Sequence, residues 1–230
     1  MNCIIVLLLF VQSAVVYTQT TRRASLLEYR AYMINVIEKT VQDIEDFQWC
    51  NLKVPDFTQD LEYNIFGRNI RGTVTYKNGY VVTIQHLDVT QASVQQVWQW
   101  RTVDRVGQVD VRGQMRLHDV VLGFDVEAVI DDRERRYSST FTHRLLSFDF
   151  SILKHMPTQN ITVTVRGTQP RSNNRMSYMP TDDDSDLLGA SFDPDSTRPA
   201  VLSWASDIFT PIARNVVTTK VDFPEVCYNC

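Results

Sequence analysis

The period of the hydrophobic pattern changes twice along this chain of 230 residues. From Leu26 to Phe47, apolar side chains fall at Leu26, Tyr29, Met33, Ile37, Val41, Ile44 and Phe47. Gaps of three and four place them on one stripe of an amphipathic helix, with Glu38, Lys39, Asp43 and Glu45 on the wet side. Ser25 followed by Glu28 reads as a capping box opening that helix. Pro55 closes it, because a proline disfavours helical geometry at Val54 before it.

The centre then alternates with period two. Val74-Thr75-Tyr76 and Tyr80 to Ile84 flank Asn78-Gly79, and an Asn-Gly pair between two such runs predicts a hairpin. Further runs span Val94 to Val103, Val109 to Leu117, Leu122 to Ile130, Tyr137 to Leu153 and Ile161 to Thr168. Val109, Val111, Met115 and Leu117 oppose Asp110, Arg112, Gln114 and Arg116, so one face is buried and one wet. That pattern belongs to an antiparallel sheet rather than to a parallel sheet covered on both faces. Asp131-Asp132 and Met156-Pro157 mark turns. Residues 169–198, rich in Asp, Ser, Asn and Pro, predict a long acidic loop. Helical spacing returns after Pro199, with Val201, Leu202, Ala205, Ile208, Phe209, Ile212, Val216 and Val217 on a broad apolar face and a kink at Pro211. The layout is helix, about seven strands, helix: an α+β fold.

The segment MNCIIVLLLF at the start is too short to span a bilayer, which takes roughly 20 apolar residues. With Thr18-Gln19-Thr20-Thr21 behind it, it reads as a secretory signal peptide over residues 1–18, leaving residues 19–230 as a single domain. No later stretch is apolar enough to serve as a transmembrane anchor, so the expected localisation is extracellular. Hydrophobic residues make up 43% of the chain, which sets wholesale disorder aside. A formal charge of −4 argues against a nucleic-acid partner, which wants a clustered positive field. Beyond the signal segment stand Cys50, Cys227 and Cys230. In an oxidising compartment, Cys50 pairs with Cys227 or Cys230, or the last two pair with each other. Asn160-Ile161-Thr162 is a sequon, which makes Asn160 a glycosylation candidate.

Catalytic signatures are absent: there is no GxSxG elbow, no P-loop, no GxGxxG after a strand and no HExxH. His86, His118, His143 and His155 are scattered singly, with no local metal-ligand spacing. Asp182-x-Asp184-x-Asp186 starts like a calcium loop, but Leu187 stands where such a loop needs glycine. The expectation is a non-enzymatic protein with no cofactor and no metal. Two apolar helix faces and one apolar sheet face must then be buried together. They either close on one another as a solid core or enclose a space for an apolar ligand.

At Leu52-Lys53-Val54-Pro55-Asp56, after the long first helix, the chain resembles the group 7 mite allergens and their arthropod relatives. The glycine-punctuated run Phe66-Gly67-Arg68-Asn69-Ile70-Arg71-Gly72 and the order of elements to the final helix carry the same resemblance. That family is similar to half of the tubular lipid-binding superfamily of bactericidal/permeability-increasing and juvenile-hormone-binding proteins. The resemblance implies a strongly curved antiparallel sheet wrapped around a long helix, and a hydrophobic small molecule or lipid as partner. Periodicity then nominates Met33, Ile37, Val41, Ile44, Phe124, Val126, Ile130, Phe148, Phe150, Ile208, Phe209 and Ile212 as wall residues. A lipocalin-like barrel is the alternative carrier fold. A secreted protein-interaction module with a solid core is the alternative function, and Trp98 and Trp100 on one strand face are its hint.

Overall fold

The computed structural model describes residues 24–65, 67–101, 106–170 and 175–228, so the expected signal segment lies outside the described residues. The two ends of the described part of the chain are tied together: β1 (Ala24–Leu26) pairs antiparallel with β10 (Val226–Tyr228). Helix α1 spans Tyr29–Phe47. Its N-cap is Glu28, in a left-handed conformation and without a side-chain cap, rather than Ser25. Ser25 is claimed by β1 pairing, and its Oγ accepts a hydrogen bond from Gln96 Nε2 at 3.1 Å.

One antiparallel sheet of eight strands follows: β2 (Lys53–Val54), β3 (Phe57–Ile65), β4 (Arg68–Val89), β5 (Gln95–Arg101), β6 (Val106–Ile130), β7 (Arg133–His155), β8 (Ile161–Thr168) and β9 (Arg175–Met179). The central path runs β2-β4-β6-β7-β8, with β3 beside β4, β5 beside β6 and β9 beside β7. Among the described strands nothing closes this path into a ring, so the sheet is open and not the lipocalin-like barrel.

One turn expected from the sequence changes and another forms as expected. The predicted hairpin at Asn78-Gly79 does not form; β4 continues through it, with a register shift against β6 between Lys77 and Tyr80. Gly79 is needed for closeness rather than for a turn: a Cβ there would lie 2.6 Å from Val54 Cβ and 2.7 Å from Phe124 Cε1. Asn78, at φ 53°, donates its backbone N–H to Asp56 Oδ1 and its side-chain amide to Asp125 Oδ2, which holds the irregularity in place. The β3–β4 hairpin instead turns at Gly67, φ 77°. Asp131-Asp132 does turn the chain between β6 and β7, both residues at positive φ, as a two-residue type I′ turn requires.

The two runs Val109–Leu117 and Leu122–Ile130, expected as separate strands, form one. Along β6 the buried apolar side chains are Val109, Val111, Met115 and Leu117, then Val120, Leu122, Phe124, Val126, Ala128 and Ile130. Two residues, His118-Asp119, separate consecutive inward positions at the break, instead of one. The same happens on both neighbours without loss of register: Gln85-His86 between Ile84 and Leu87 on β4, and Arg144-Leu145 between His143 and Leu146 on β7. The inward-facing pattern is therefore creased, changing parity on three paired strands at one level. At 25 residues, β6 is about 80 Å long.

Helices cover the apolar face. α1 lies on β6, where a Cβ at Gly113 would come within 2.5 Å of Met33 Cγ. Beside it runs the C-terminal helix, made of α3 (Arg198–Ser203), a π-helical stretch Trp204–Phe209, and α4 (Thr210–Thr219). The wide turns end immediately before Pro211, where the missing N–H breaks the regular ladder. All three pieces pack on β8, and Trp204 Nε1 donates to the Lys53 carbonyl at 2.7 Å. At the other end of the sheet, α2 (Asp183–Ser191) packs on β9 and β3.

Residues 169–198 are thus not a plain loop; they contain β9, α2 and a 3₁₀ turn at Pro194–Thr197. Asp182 and Ser185 form a reciprocal capping box, and Asp183, Asp184 and Asp186 occupy the first turn of α2, where negative charge is favoured. Leu187 and Leu188 are buried beneath it. The expected Cys50 bridge is also corrected. Cys50 is free and exposed, while Cys227 is held in a disulfide in which Cys50 takes no part. Cys227 faces Ser25 at the start of α1, and Cys50 follows its end. The 19 residues between span about 28 Å, against the roughly 7 Å a disulfide tolerates between Cα atoms.

Candidate functional site

The twelve nominated wall residues pack mostly against one another. Met33, Ile37, Ile44, Phe124, Val126, Ile130, Phe148, Phe150 and Phe209 are buried, and Val41, Ile208 and Ile212 are partly buried against the same cluster. Phe148 meets Phe209 edge-on at 4.5 Å, and Phe124 stands edge-on to Phe57 and Tyr76 at 5.9 and 5.8 Å. Only Phe150 and Val126 of the twelve line one of the surface cavities described below. These side chains form the joint between helices and sheet.

A groove of mixed apolar and polar lining does exist, at a place periodicity did not indicate. It has a volume of about 680 Å³ and lies between the first turns of α1 and the segment 220–225 that follows α4. Leu27, Ala31, Val221 and Pro224 supply apolar wall, and Glu28, Asn35, Lys220, Asp222 and Glu225 supply polar lining. The groove is held by three ties. β1 pairs with β10, Leu27 N–H donates to the Glu225 carbonyl at 3.0 Å, and Lys220 Nζ meets Asp43 Oδ1 at 2.5 Å. Tyr32 also lines it. This side chain is 6% exposed, its ring stands edge-on to Phe223 at 5.3 Å, and its hydroxyl has no hydrogen-bond partner. Burial pushes the Tyr32 pKa up, so the group is a neutral donor and acceptor. An unpaired buried hydroxyl costs about 1–3 kcal/mol.

A second cavity, about 660 Å³, lies where Arg112, Gln114, Asp149, Ser151 and Arg166 line the sheet. Its polar side chains are knitted together: Gln114 Nε2 donates to Asp149 Oδ1 (2.8 Å), Arg112 Nε to Asp110 Oδ2 (2.6 Å) and Ser151 Oγ to Asp110 Oδ1 (2.7 Å). This lining suits water and polar solutes, not an alkyl chain. A third cavity, about 410 Å³, lies around Lys77, Glu127 and Tyr137. Burial, then the Asp182 carboxylate that accepts its hydroxyl proton, pushes the Tyr137 pKa up to about 12.

The four histidines sort by environment. His143 is 1% exposed on the inner face of β7, with Nε2 3.0 Å from Thr197 Oγ1. That hydroxyl donates to the Pro194 carbonyl at 2.8 Å, so the ring proton belongs on Nε2. Nδ1 is buried without a partner, and burial holds the pKa down to about 4. His155 sits in the β7–β8 turn, bonded to Thr158. His86 and His118, scattered in sequence, are brought directly opposite each other on β4 and β6, with ring centroids 5.6 Å apart. Among the described residues no group of three or more His, Cys, Asp and Glu side chains stands ready for a metal. The triple-aspartate run is absorbed by the cap of α2 and by the Asp184–Arg135 ion pair.

Trp98 and Trp100 stack at 5.9 Å on β5. Trp100 is 61% exposed and lies over Gly107, where a Cβ would sit 2.8 Å from its ring. No described helix is long and apolar enough to cross a membrane.

No family model matches the sequence, and no curated protein matches it either. Among solved structures, the crystal structure of a lipopolysaccharide binding protein superposes with a TM-score of 0.45 at 8% identity, over 86% of this chain and 40% of that one. The chain thus spans two-fifths of that protein's length.

Proposed function

We propose that this chain is a secreted, non-enzymatic binding protein for a lipid or other hydrophobic small molecule, of the tubular lipid-binding type and akin to the group 7 allergens. The single observation that carries the reading is the groove between α1 and segment 220–225. Its volume of about 680 Å³ falls in the range of small-molecule sites, roughly 300–1,000 Å³. It combines apolar wall with one buried, unpaired hydroxyl at Tyr32. An amphipathic ligand would bury its chain along Leu27, Ala31, Val221 and Pro224 and set its polar end against the polar lining at Asn35 and Lys220. Each buried methylene contributes about 0.8 kcal/mol, so a chain of ten or so carbons offsets several kcal/mol of association cost. Strong curvature of the long sheet belongs to the same reading, as does a glycan on Asn160, exposed beside the β7–β8 turn.

Ala31→Trp tests the site. Ala31 is exposed on α1 and lines the groove, so the indole fills space without disturbing the core. Uptake of an apolar fluorophore is expected to weaken at least ~10-fold, with an unchanged melting temperature. Uptake equal to wild type would remove the groove as the site.

One observation favours the second reading, a protein-interaction module: the stacked Trp98–Trp100 pair with Trp100 largely exposed. Aromatic residues of this kind are enriched at interfaces.

A further inference from the structure

His86 and His118 face each other across the β4–β6 ladder at the crease. The crease matters because it changes what these positions are. With regular alternation, Gln85-His86 and His118-Asp119 would each put one residue in the core. Instead two residues on each strand lie between inward-facing neighbours, and both imidazoles are left accessible: His86 is exposed and His118 half-buried. No hydrogen bond or ion pair holds either ring; their contact is with each other, centroids 5.6 Å apart and planes tilted by 37°.

We infer that this cross-strand pair is a binding site for a late first-row divalent cation, Cu²⁺ or Zn²⁺, held by two imidazoles with water in the remaining positions. The spacing fits. A metal–nitrogen bond of about 2.0–2.1 Å puts each ring centre about 3.2 Å from the metal; the tetrahedral angle of zinc then separates the two centres by about 5.2 Å, and the cis angle of tetragonal copper by about 4.5 Å. The observed 5.6 Å lies within a few tenths of an ångström of the zinc spacing and about 1 Å from the copper one, so side-chain rotations bring the rings into place for either ion. Both ligands come from paired strands, so no loop has to be ordered on binding. Neutral imidazole suits both cations, and copper binds nitrogen ligands more tightly than zinc. Two protein ligands, not three, are on hand, which leaves an open and exchangeable site rather than a closed structural one. Asp88, two residues from His86 on the same strand, adds a carboxylate to that stretch of β4, opposite Arg116.

Isothermal titration of the purified protein with CuCl₂ and ZnCl₂ tests the site. The result expected is one Cu²⁺ per chain, tighter than Zn²⁺, with nitrogen hyperfine coupling from two imidazoles in the copper spectrum. His86→Gln and His118→Gln should each weaken binding at least ~10-fold and leave the metal-free melting temperature unchanged. His155→Gln, a surface histidine in the β7–β8 turn, should leave the affinity unchanged. No saturable uptake, or an affinity untouched by both His86→Gln and His118→Gln, would overturn the site. So would a loss of equal size in His155→Gln, which would mark binding as diffuse.

Discussion

A glutamate at position 37 is expected to unfold the protein rather than to impair a binding site. Ile37 is fully buried between α1 and β6, with Cδ1 3.3 Å from the point a Cβ on Gly113 would occupy. Met33 and Ile44 continue the same buried stripe. Substitution removes roughly 2–3 kcal/mol of apolar burial and places a carboxylate where no cation is at hand, which costs several kcal/mol more. A loss on the order of 5 kcal/mol or more consumes most of the stability of an ordinary domain, about 5–15 kcal/mol. Circular dichroism of Ile37→Glu at 25 °C should therefore lack a cooperative melt. A variant that melts like wild type would mean that Ile37 borders an accessible interior space.

The second large effect is acid sensitivity through His143. Its pKa is held down to about 4 by burial, against about 6.5 in the unfolded chain. Between these values the unfolded state binds a proton that the folded state does not, so stability falls as pH falls. The contribution is fully present above pH 6.5 and is lost progressively down to about pH 4, a total of about 3 kcal/mol. Urea unfolding at pH 7 and pH 4 checks it. His143→Gln cannot charge, so its stability should drop by about 3 kcal/mol less than wild type over that interval. Equal drops in both proteins would place the acid sensitivity elsewhere.

Much of the scaffold was legible because burial on one side imposes a period. The α1 stripe emerged from spacing alone, but the buried face also takes in Tyr32, Val36 and Thr40. The helix has two partners, the sheet and α4, and a single stripe describes only one. Alternation located the strands, yet it could not give their lengths. At residues 85–86, 118–119 and 144–145 the inward face changes parity without any loss of pairing, and a broken period looks like a strand end. Asn78-Gly79 misled because the same dipeptide serves a tight turn and a close approach, and only Val54 and Phe124, distant in sequence, decide between them. Helix α2 was obscured by its Asp and Ser content, although Asp182 with Ser185, followed by Leu187-Leu188, carried the signal of a capped helix on a buried face.

The sites were less legible than the fold. Periodicity nominates residues that face inward, and inward-facing residues here fill space instead of enclosing it. The groove is built from residues 27–35 and 220–225, brought together by the β1–β10 pairing and the Lys220–Asp43 contact. Neither is a local property of the sequence. The His86–His118 pair was hidden for the same reason: 32 positions separate the two residues, and ladder register alone makes them neighbours.

Native mass spectrometry of the purified protein, followed by organic extraction, addresses the central claim most directly. A binding protein for an apolar molecule should carry a stoichiometric adduct that disappears on denaturation and is recovered in the extract, and Ala31→Trp should arrive without it. A clean mass in wild type, with no uptake when fatty acids or terpenoids are added, would contradict the claim and favour a solid-core interaction protein presenting Trp98 and Trp100.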